Sequence, residues 1–241
     1  MAVVLLVRHG QASFGADDYD VLSETGWAQA RLLGAHLARH GVEPTAVVRG
    51  AMRRHRETVS GLLEAMAAEG AAAPGEGDVV VDPRWDEFDH LGVVAAHPDL
   101  PQGGTAGLER REFQRVFAES TRRWATAEPA ADGTVPDYPE SFAAFTARSR
   151  AALDDACERA AAQSSGLVVA VTSGGPVGAL CAHLVDPDGD DDPVAFARRW
   201  ERFNTVCVNS SVSRVVIGRG GVRLLGCNDH THLDRDHVTY R

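Results

Sequence analysis

The strongest constraint on the fold is a short apolar run, AVVLLV at residues 2–7, which ends abruptly in Arg8, His9 and Gly10. A buried strand of a parallel sheet is continuously hydrophobic, so this run predicts a buried strand and not an amphipathic helix. In open α/β sheets, ligands bind beyond the carboxyl ends of the strands. The sequence therefore predicts that Arg8 and His9 face a ligand at that edge of the sheet.

The rest of the chain alternates between predicted helices and strands, which favours a doubly wound α/β fold. The predicted elements are, in order, a helix capped by Ser23, a strand through Val48, a helix to about Gly70, a strand within VVVDPRW, a helix capped by Ser141, a strand within GLVVAVT, a helix with Pro176 at its first position, and strands at residues 211–217 and 222–227. We expect a three-layer αβα domain over residues 1–241, with a mostly parallel sheet. A helical insertion at about residues 91–140 is predicted to cover its active end.

Composition excludes several classes of function. The 241 residues carry a formal net charge of −10, which opposes a nucleic-acid or anionic membrane partner. No stretch has the roughly 18 uncharged apolar residues of a membrane span, and the first apolar run is too short for a secretory signal, so we expect a cytoplasmic protein. The four cysteines form no CxxC pair, which argues against a zinc knuckle and predicts buried reduced thiols.

Polar residues at three predicted strand ends could converge on one anion. Arg8 and His9 follow the first strand, Arg54 follows the second, and Ser173 and Gly174 follow a later one. Guanidinium groups match phosphate oxygens, and the free N–H groups of a helix N-terminus favour negative charge. The expected ligand is a phosphoryl group, which the neutral imidazole of His9 could attack at phosphorus.

These residues resemble a known family. LLVRHGQ looks like the signature of the histidine phosphatase superfamily, also called the phosphoglycerate mutase-like family, and GAMRRHRET resembles its motif for a second phosphate-binding arginine, here Arg54. WDEF resembles the segment that supplies the proton donor, here Glu87. PESFAAFTAR and CNDHTHL also look like landmarks of the family, so the resemblance spans residues 3–233.

The resemblance implies hydrolysis of a small phosphorylated substrate through a phosphohistidine at His9, without a metal or other cofactor. Glu87 would protonate the leaving alcohol and later activate water, and Gln11 would line the phosphate site. The stretch after the RHG tripeptide, QASFGADDYDVLSETG, does not look like the pattern of the mutases, which favours a phosphatase.

One position departs from the family pattern. The family places a second histidine before two glycines at the end of the late strand, whereas this chain has Ser173 there. A serine donates one hydrogen bond but supplies no positive charge. His90 or His232 could restore some charge. A non-catalytic phosphate-binding protein of the same fold is the alternative interpretation.

Two site assignments have close competitors. Arg54 belongs to the cluster at residues 53–56, which could instead be an exposed face of a helix. Glu87 competes with Asp86 and Asp89 for the role of acid.

The late stretch DHTHLDRDH suggests a different class of enzyme. His230, His232, Asp234 and His237 resemble a zinc cluster of the HxHxD type, but Arg235 stands where a histidine for a second metal would be expected. We expect no metal site there.

Overall fold

The computed structural model describes residues 1–13, 20–97, 100, 109–129, 133–134 and 136–240, which form six strands and seven α-helices. The strands are β1 (Ala2–Arg8), β2 (Ala46–Arg49), β3 (Val80–Val81), β4 (Leu167–Thr172), β5 (Val212–Gly218) and β6 (Gly221–Asp229). The helices are α1 (Glu24–Arg39), α2 (Arg53–Ala68), α3 (His90–Ala95), α4 (Arg110–Thr126), α5 (Phe142–Ala161), α6 (Gly174–Val185) and α7 (Pro193–Asn204). The predicted caps Ser23 and Ser141 are confirmed, because each side chain accepts an N–H bond in the first turn of its helix.

The six strands form one sheet in the order β3-β2-β4-β1-β5-β6. The first four strands in the chain pair in parallel, whereas β5 is antiparallel to both β1 and β6. Parallel neighbours require crossover connections, which the intervening helices provide. The predicted mostly parallel, doubly wound sheet is confirmed.

Alternation along the central strands divides their side chains between two apolar layers. On one face, Leu5 and Val7 of β1 pack with residues of α1 and α2, including Leu33 and Leu62. On the other face, the intervening Val4 and Leu6 pack with residues of α5 and α6, among them Ala152, Leu153, Val177 and Leu180. The three-layer αβα arrangement therefore follows from a sheet that is apolar on both faces.

An aromatic cluster joins the segment predicted as an insertion to the remainder of the fold. Trp124 of α4 stacks on Phe88 with ring centroids 4.5 Å apart, and both rings contact Trp200 of α7. Positions 98–99, 101–108, 130–132 and 135 of that segment lie outside the described residues. The division into one domain with an insertion stays a prediction.

Three of the four cysteines are buried and reduced, as expected. The prediction is wrong for Cys227, which is exposed because it lies on β6, the strand at the edge of the sheet. Among the helices that the structure describes, none is long and apolar enough to cross a membrane.

Candidate active site

The carboxyl ends of three neighbouring strands bring the predicted site residues to one edge of the sheet. In the sheet, β4 lies between β1 and β2. Arg8 and His9 stand at the end of β1, Arg54 lies in the first turn of the helix after β2, and Ser173 follows β4. The backbone N–H of His9 donates to the carbonyl oxygen of Thr172 at 2.8 Å, so the two strand ends are joined directly beside the site.

His9 is buried, and its contacts select one tautomer. Its Nδ1 lies 2.6 Å from the carbonyl oxygen of Gly10, which only accepts hydrogen bonds, so Nδ1 carries the proton. Its Nε2 accepts a hydrogen bond from Arg54 Nε at 3.1 Å. Burial lowers the pKa of His9 well below its usual value, and the charges of Arg54 and Arg8 lower it further. His9 is therefore neutral, with a lone pair on Nε2 that can attack an electrophile.

Arg54 points into the site, whereas the other two arginines of the basic cluster point outward. Its Nη1 pairs with Asp20 Oδ1 at 2.7 Å, and its Nη2 lies 3.4 Å from Ser173 Oγ. Arg53 and Arg56 are exposed. The interpretation of residues 53–56 as a solvated helix face therefore holds for those two arginines and is wrong for Arg54, whose guanidinium lies between His9 and Ser173.

Arg8 contributes a second guanidinium group from the end of β1. Its Nη1 donates to the carbonyl oxygens of Cys207 and Tyr240, the latter at 2.9 Å. Its Nε is buried without a hydrogen-bond partner among the described residues. A Cβ atom at Gly174 would lie 3.4 Å from that Nε, so the unpaired donor faces the start of α6. Buried donors of this kind suit an oxyanion ligand.

Helix α6 begins at Gly174, so the prediction that Pro176 occupies its first position is wrong. Pro176 is the third residue of the helix. The N–H groups of the first turn have no partner within a helix, so a proline there removes no hydrogen bond. As a result, Ser173 is the N-cap, and the N–H groups of Gly174 and Gly175 both belong to the N-terminus that faces the site.

The structure adds His55, a residue that the sequence interpretation left in the basic helix face. Its ring is fully buried, and its Nε2 lies 2.8 Å from Ser173 Oγ. Helical periodicity was the signal that could have identified it. Positions 55, 58, 59 and 62 follow the i, i+3, i+4, i+7 spacing of an inward face, and all four are buried.

Glu87 lies against the first turn of α6. The N–H of Gly175 donates to Glu87 Oε2 at 3.0 Å, and the N–H of Phe88 donates to Oε1 at 3.2 Å. This approach depends on Gly175, because a Cβ atom there would lie 2.0 Å from Oε1. The Glu87 carboxyl therefore shares the helix N-terminus with Ser173 and Gly174, where a leaving group could reach it.

The two competing carboxylates have other contacts. Asp89 caps α3 by accepting the N–H of Gly92 at 2.9 Å, and Asp86 lies 3.6 Å from His55 Nδ1. The segment that carries these residues is held by Arg148 of α5, whose guanidinium donates to the backbone carbonyls of residues 84, 86 and 87. Among the three, Glu87 is the one that contacts α6.

Three other residues that the sequence analysis named for the site are Gln11, His90 and His232. Gln11 is on the side of α1, where its Oε1 accepts a hydrogen bond from Ser23 Oγ at 2.9 Å. Burial lowers the pKa of His90. The charge of Glu87 raises that pKa and the charge of Arg54 lowers it, so His90 lies near the site. His232 lies beside α1, with its ring 5.8 Å from that of His36.

The late histidines do not gather around a metal position. His237 pairs with Asp234 at 2.7 Å, and His230 Nδ1 contacts the carbonyl oxygen of Asn228 at 2.7 Å. Within the residues that the structure describes, no group of three or more histidine, cysteine or acidic side chains could hold a metal ion.

A buried neutral histidine beside two arginines, at the carboxyl edge of a mostly parallel sheet, is an arrangement that can bind an anion next to a nucleophilic nitrogen. The family model described as histidine phosphatase superfamily (branch 1) matches residues 4–230. The chain therefore belongs to this superfamily, as the motifs predict. A comparison with curated proteins gave no match.

Solved structures share the fold at low sequence identity. A mycobacterial glucosyl-3-phosphoglycerate phosphatase is 23% identical, with a TM-score of 0.59 over 95% of this chain and 99% of that chain. A phosphoserine phosphatase mutant from Entamoeba histolytica is 14% identical, with a TM-score of 0.61 over 97% and 100%. A phosphoglycerate mutase from Bacillus anthracis is 17% identical, with a TM-score of 0.59 over 96% and 94%. Both phosphatases and a mutase therefore have this architecture.

Proposed function

We propose that this protein is a phosphomonoester hydrolase that works through a phosphohistidine at His9. The observation that carries the proposal is the state of His9, whose Nδ1 proton is fixed by Gly10 and whose Nε2 lone pair accepts a hydrogen bond from Arg54, which a phosphoryl group would replace. The substrate class is a small phosphorylated molecule. Arg8 and Arg54 form a local cationic site, whereas the chain as a whole has a net charge of −10, which does not favour a large polyanion.

In the first step, His9 Nε2 forms a bond to phosphorus as the bond to the leaving oxygen breaks. Arg8, Arg54 and the N–H of Gly174 at the start of α6 hold the phosphoryl oxygens, where charge develops. Glu87 gives its proton to the leaving oxygen. In the second step, the resulting carboxylate takes a proton from water, whose oxygen attacks phosphorus and releases phosphate and neutral His9.

Hydrolysis is preferred over a mutase reaction because a mutase must return the phosphoryl group to a bound product. The sequence after the RHG tripeptide does not resemble the mutase pattern, although positions 14–19 of that stretch lie outside the described residues. Ser173 in place of a histidine favours the second candidate, a binding protein that recognises a phosphorylated ligand without turnover.

Single-turnover hydrolysis of p-nitrophenyl phosphate, quenched in alkaline detergent, which preserves phosphohistidine, separates these candidates. Wild-type protein should form an acid-labile phosphoenzyme, and His9→Ala should reduce turnover to less than about one thousandth. His40→Ala is the matched control, because His40 is an exposed histidine at the end of α1 and should leave the rate unchanged.

Acid stability of the trapped species identifies the nucleophile, since phosphohistidine is lost in acid and phosphoserine persists. An acid-stable phosphoenzyme would move the attack from His9 to a hydroxyl group and overturn the mechanism. If wild-type protein binds inorganic phosphate but forms no phosphoenzyme and releases no product, the binding protein becomes the correct assignment.

A further inference from the structure

Behind the site, three side chains form a line that the mechanism above does not use. Ser173 Oγ lies 2.8 Å from His55 Nε2, and His55 Nδ1 lies 3.6 Å from Asp86 Oδ1. The first distance is a hydrogen bond and the second an ion-pair separation. At its front end, Ser173 Oγ faces Arg54 Nη2 at 3.4 Å, so the line ends in the anion pocket.

A glycine in the backbone, Gly50, leaves room for His55 and Asp86 to approach each other. A Cβ atom at Gly50 would lie 2.3 Å from His55 Nδ1 and 2.4 Å from Asp86 Oδ1, so only glycine leaves room for the two groups to approach. Asp86 Oδ1 also accepts the N–H groups of Ala51 at 2.6 Å and Met52 at 3.3 Å. Burial opposes ionisation of Asp86, but the contacts with His55 and these N–H groups hold its pKa below the usual value. A fixed carboxylate therefore stands behind the imidazole.

The hydrogen-bond roles in this line depend on the charge of His55. A neutral His55 that directs its Nδ1 proton to Asp86 must accept the Ser173 hydroxyl proton at Nε2, which leaves none for a ligand. A protonated His55 donates from both nitrogens, to Asp86 and to Ser173 Oγ. The Ser173 hydroxyl is then free to donate to a phosphoryl oxygen.

We infer that His55 takes up one proton from solvent when a phosphoryl dianion binds, and that the resulting imidazolium, paired with Asp86, orients the Ser173 hydroxyl toward that dianion. This inference rests on the proposed function. It holds that His55 of α2 supplies the positive charge that a histidine at position 173 would otherwise bring to the phosphoryl group. His55 acts through Ser173 and is therefore a positioning residue.

The charges around His55 fit this change on binding. Arg54 of the same helix favours the neutral form, whereas Asp86 and Asp20 favour the charged form. Burial is the largest effect and lowers the pKa of His55. A dianion placed against Ser173 adds two negative charges on the pocket side, which shifts the balance toward imidazolium.

Calorimetric titration with tungstate tests the proton directly. Tungstate is a tetrahedral dianion at pH 7.5, so a proton taken up on binding is taken up by the protein and not by the ligand. The number of protons is obtained by comparing the binding enthalpy in buffers of different ionisation enthalpy. Wild-type protein should take up about one proton per tungstate, and His55→Gln should take up close to none and bind about 10- to 100-fold more weakly. His9→Asn should retain the uptake, which distinguishes His55 from the nucleophile.

Two further variants keep the inference testable if His55→Gln does not fold. Asp86→Asn retains the shape of the carboxylate without its charge and should lower the proton uptake. Ser173→His alone should impair binding, because the fully buried Ser173 leaves no room for a second ring beside His55. The double substitution of Ser173→His with His55→Ala frees that space and should recover about tenfold in kcat/KM over His55→Ala.

Equal proton uptake and equal tungstate affinity in wild-type protein and His55→Gln would overturn the inference. That result is separate from failure of the proposed function, which would appear as wild-type protein that binds tungstate with proton uptake but forms no phosphoenzyme.

Discussion

At the scale of single residues, the role of Glu87 depends on the leaving group of the substrate. An alkoxide leaves only with a proton, whereas p-nitrophenolate leaves unaided. In single-turnover measurements of phosphoenzyme formation, Glu87→Gln should slow an alkyl phosphate by about 10²- to 10⁴-fold and p-nitrophenyl phosphate by less than about tenfold. Asp89→Asn is the control, because Asp89 caps α3. Equal losses with both substrates would contradict acid catalysis by Glu87.

Sequence reasoning located those residues whose position follows from a strand end. Arg8, His9 and Ser173 end apolar runs, so the sheet itself carries them to one edge. His55 was missed because a histidine between arginines indicates a solvated face when only local composition is considered. The helical spacing of positions 55, 58, 59 and 62 predicts its burial, but only if that spacing is given more weight than the charges of the neighbouring residues.

At the scale of elements, α5 fixes the segment that carries Asp86 and Glu87. Arg148 donates to the carbonyl oxygens of residues 84, 86 and 87 at 2.9, 2.7 and 3.3 Å, and its Nε pairs with Glu140 at 2.7 Å. Arg148→Met leaves these acceptors unpaired and should lower the free energy of unfolding by about 2 to 4 kcal/mol. Urea denaturation measures this loss.

Because the same contacts position Glu87, Arg148→Met should reduce kcat more than it raises KM. Arg159→Met is the matched control: Arg159 is exposed on the same helix, and its loss should change stability by no more than about 0.5 kcal/mol. An equal effect of both substitutions would show that Arg148 acts only as a helix surface residue.

The first residue of an element was harder to predict than its existence. Ser23 and Ser141 marked α1 and α5 correctly because their hydroxyl groups satisfy backbone N–H groups in those helices. Pro176 misplaced the start of α6, since proline is tolerated throughout the first turn and does not define its first position. The error concerns function, because the helix N-terminus that faces the site begins at Gly174 and not at Pro176.

At the scale of the whole molecule, the parallel part of the sheet was predictable and its antiparallel edge was not. Continuous apolar runs in β1 and β4 require cover on both faces, which predicts central parallel strands. The sequences of β5 and β6 indicate strands without a direction, because either orientation satisfies their hydrogen bonds. The direction of β5 follows from its pairing with β1, a contact between distant parts of the chain.

Neutral histidines that are buried or partly buried make the stability of the whole molecule sensitive to mild acid. Burial is the largest cause of a lowered pKa in His9, His36, His55, His90 and His232, and it brings the pKa of His232 to about 4. In the unfolded chain these groups titrate near pH 6.5, so below that pH the unfolded state binds more protons than the folded state. Stability is therefore complete above about pH 6.5 and is lost as the pH falls.

Each fully buried histidine should contribute up to about 1.4 kcal/mol per pH unit to this loss, until the pH reaches its folded pKa. Urea denaturation at pH 7.5, 6.5 and 5.5 should show a smaller decrease over the first interval than over the second. His232→Gln should flatten the decrease, whereas His40→Gln, at an exposed position, should not. A free energy of unfolding that stays constant or rises down to pH 5.5 would show that the histidines bind protons at least as readily in the folded protein as in the unfolded chain, which would contradict the lowering of their pKa values by burial.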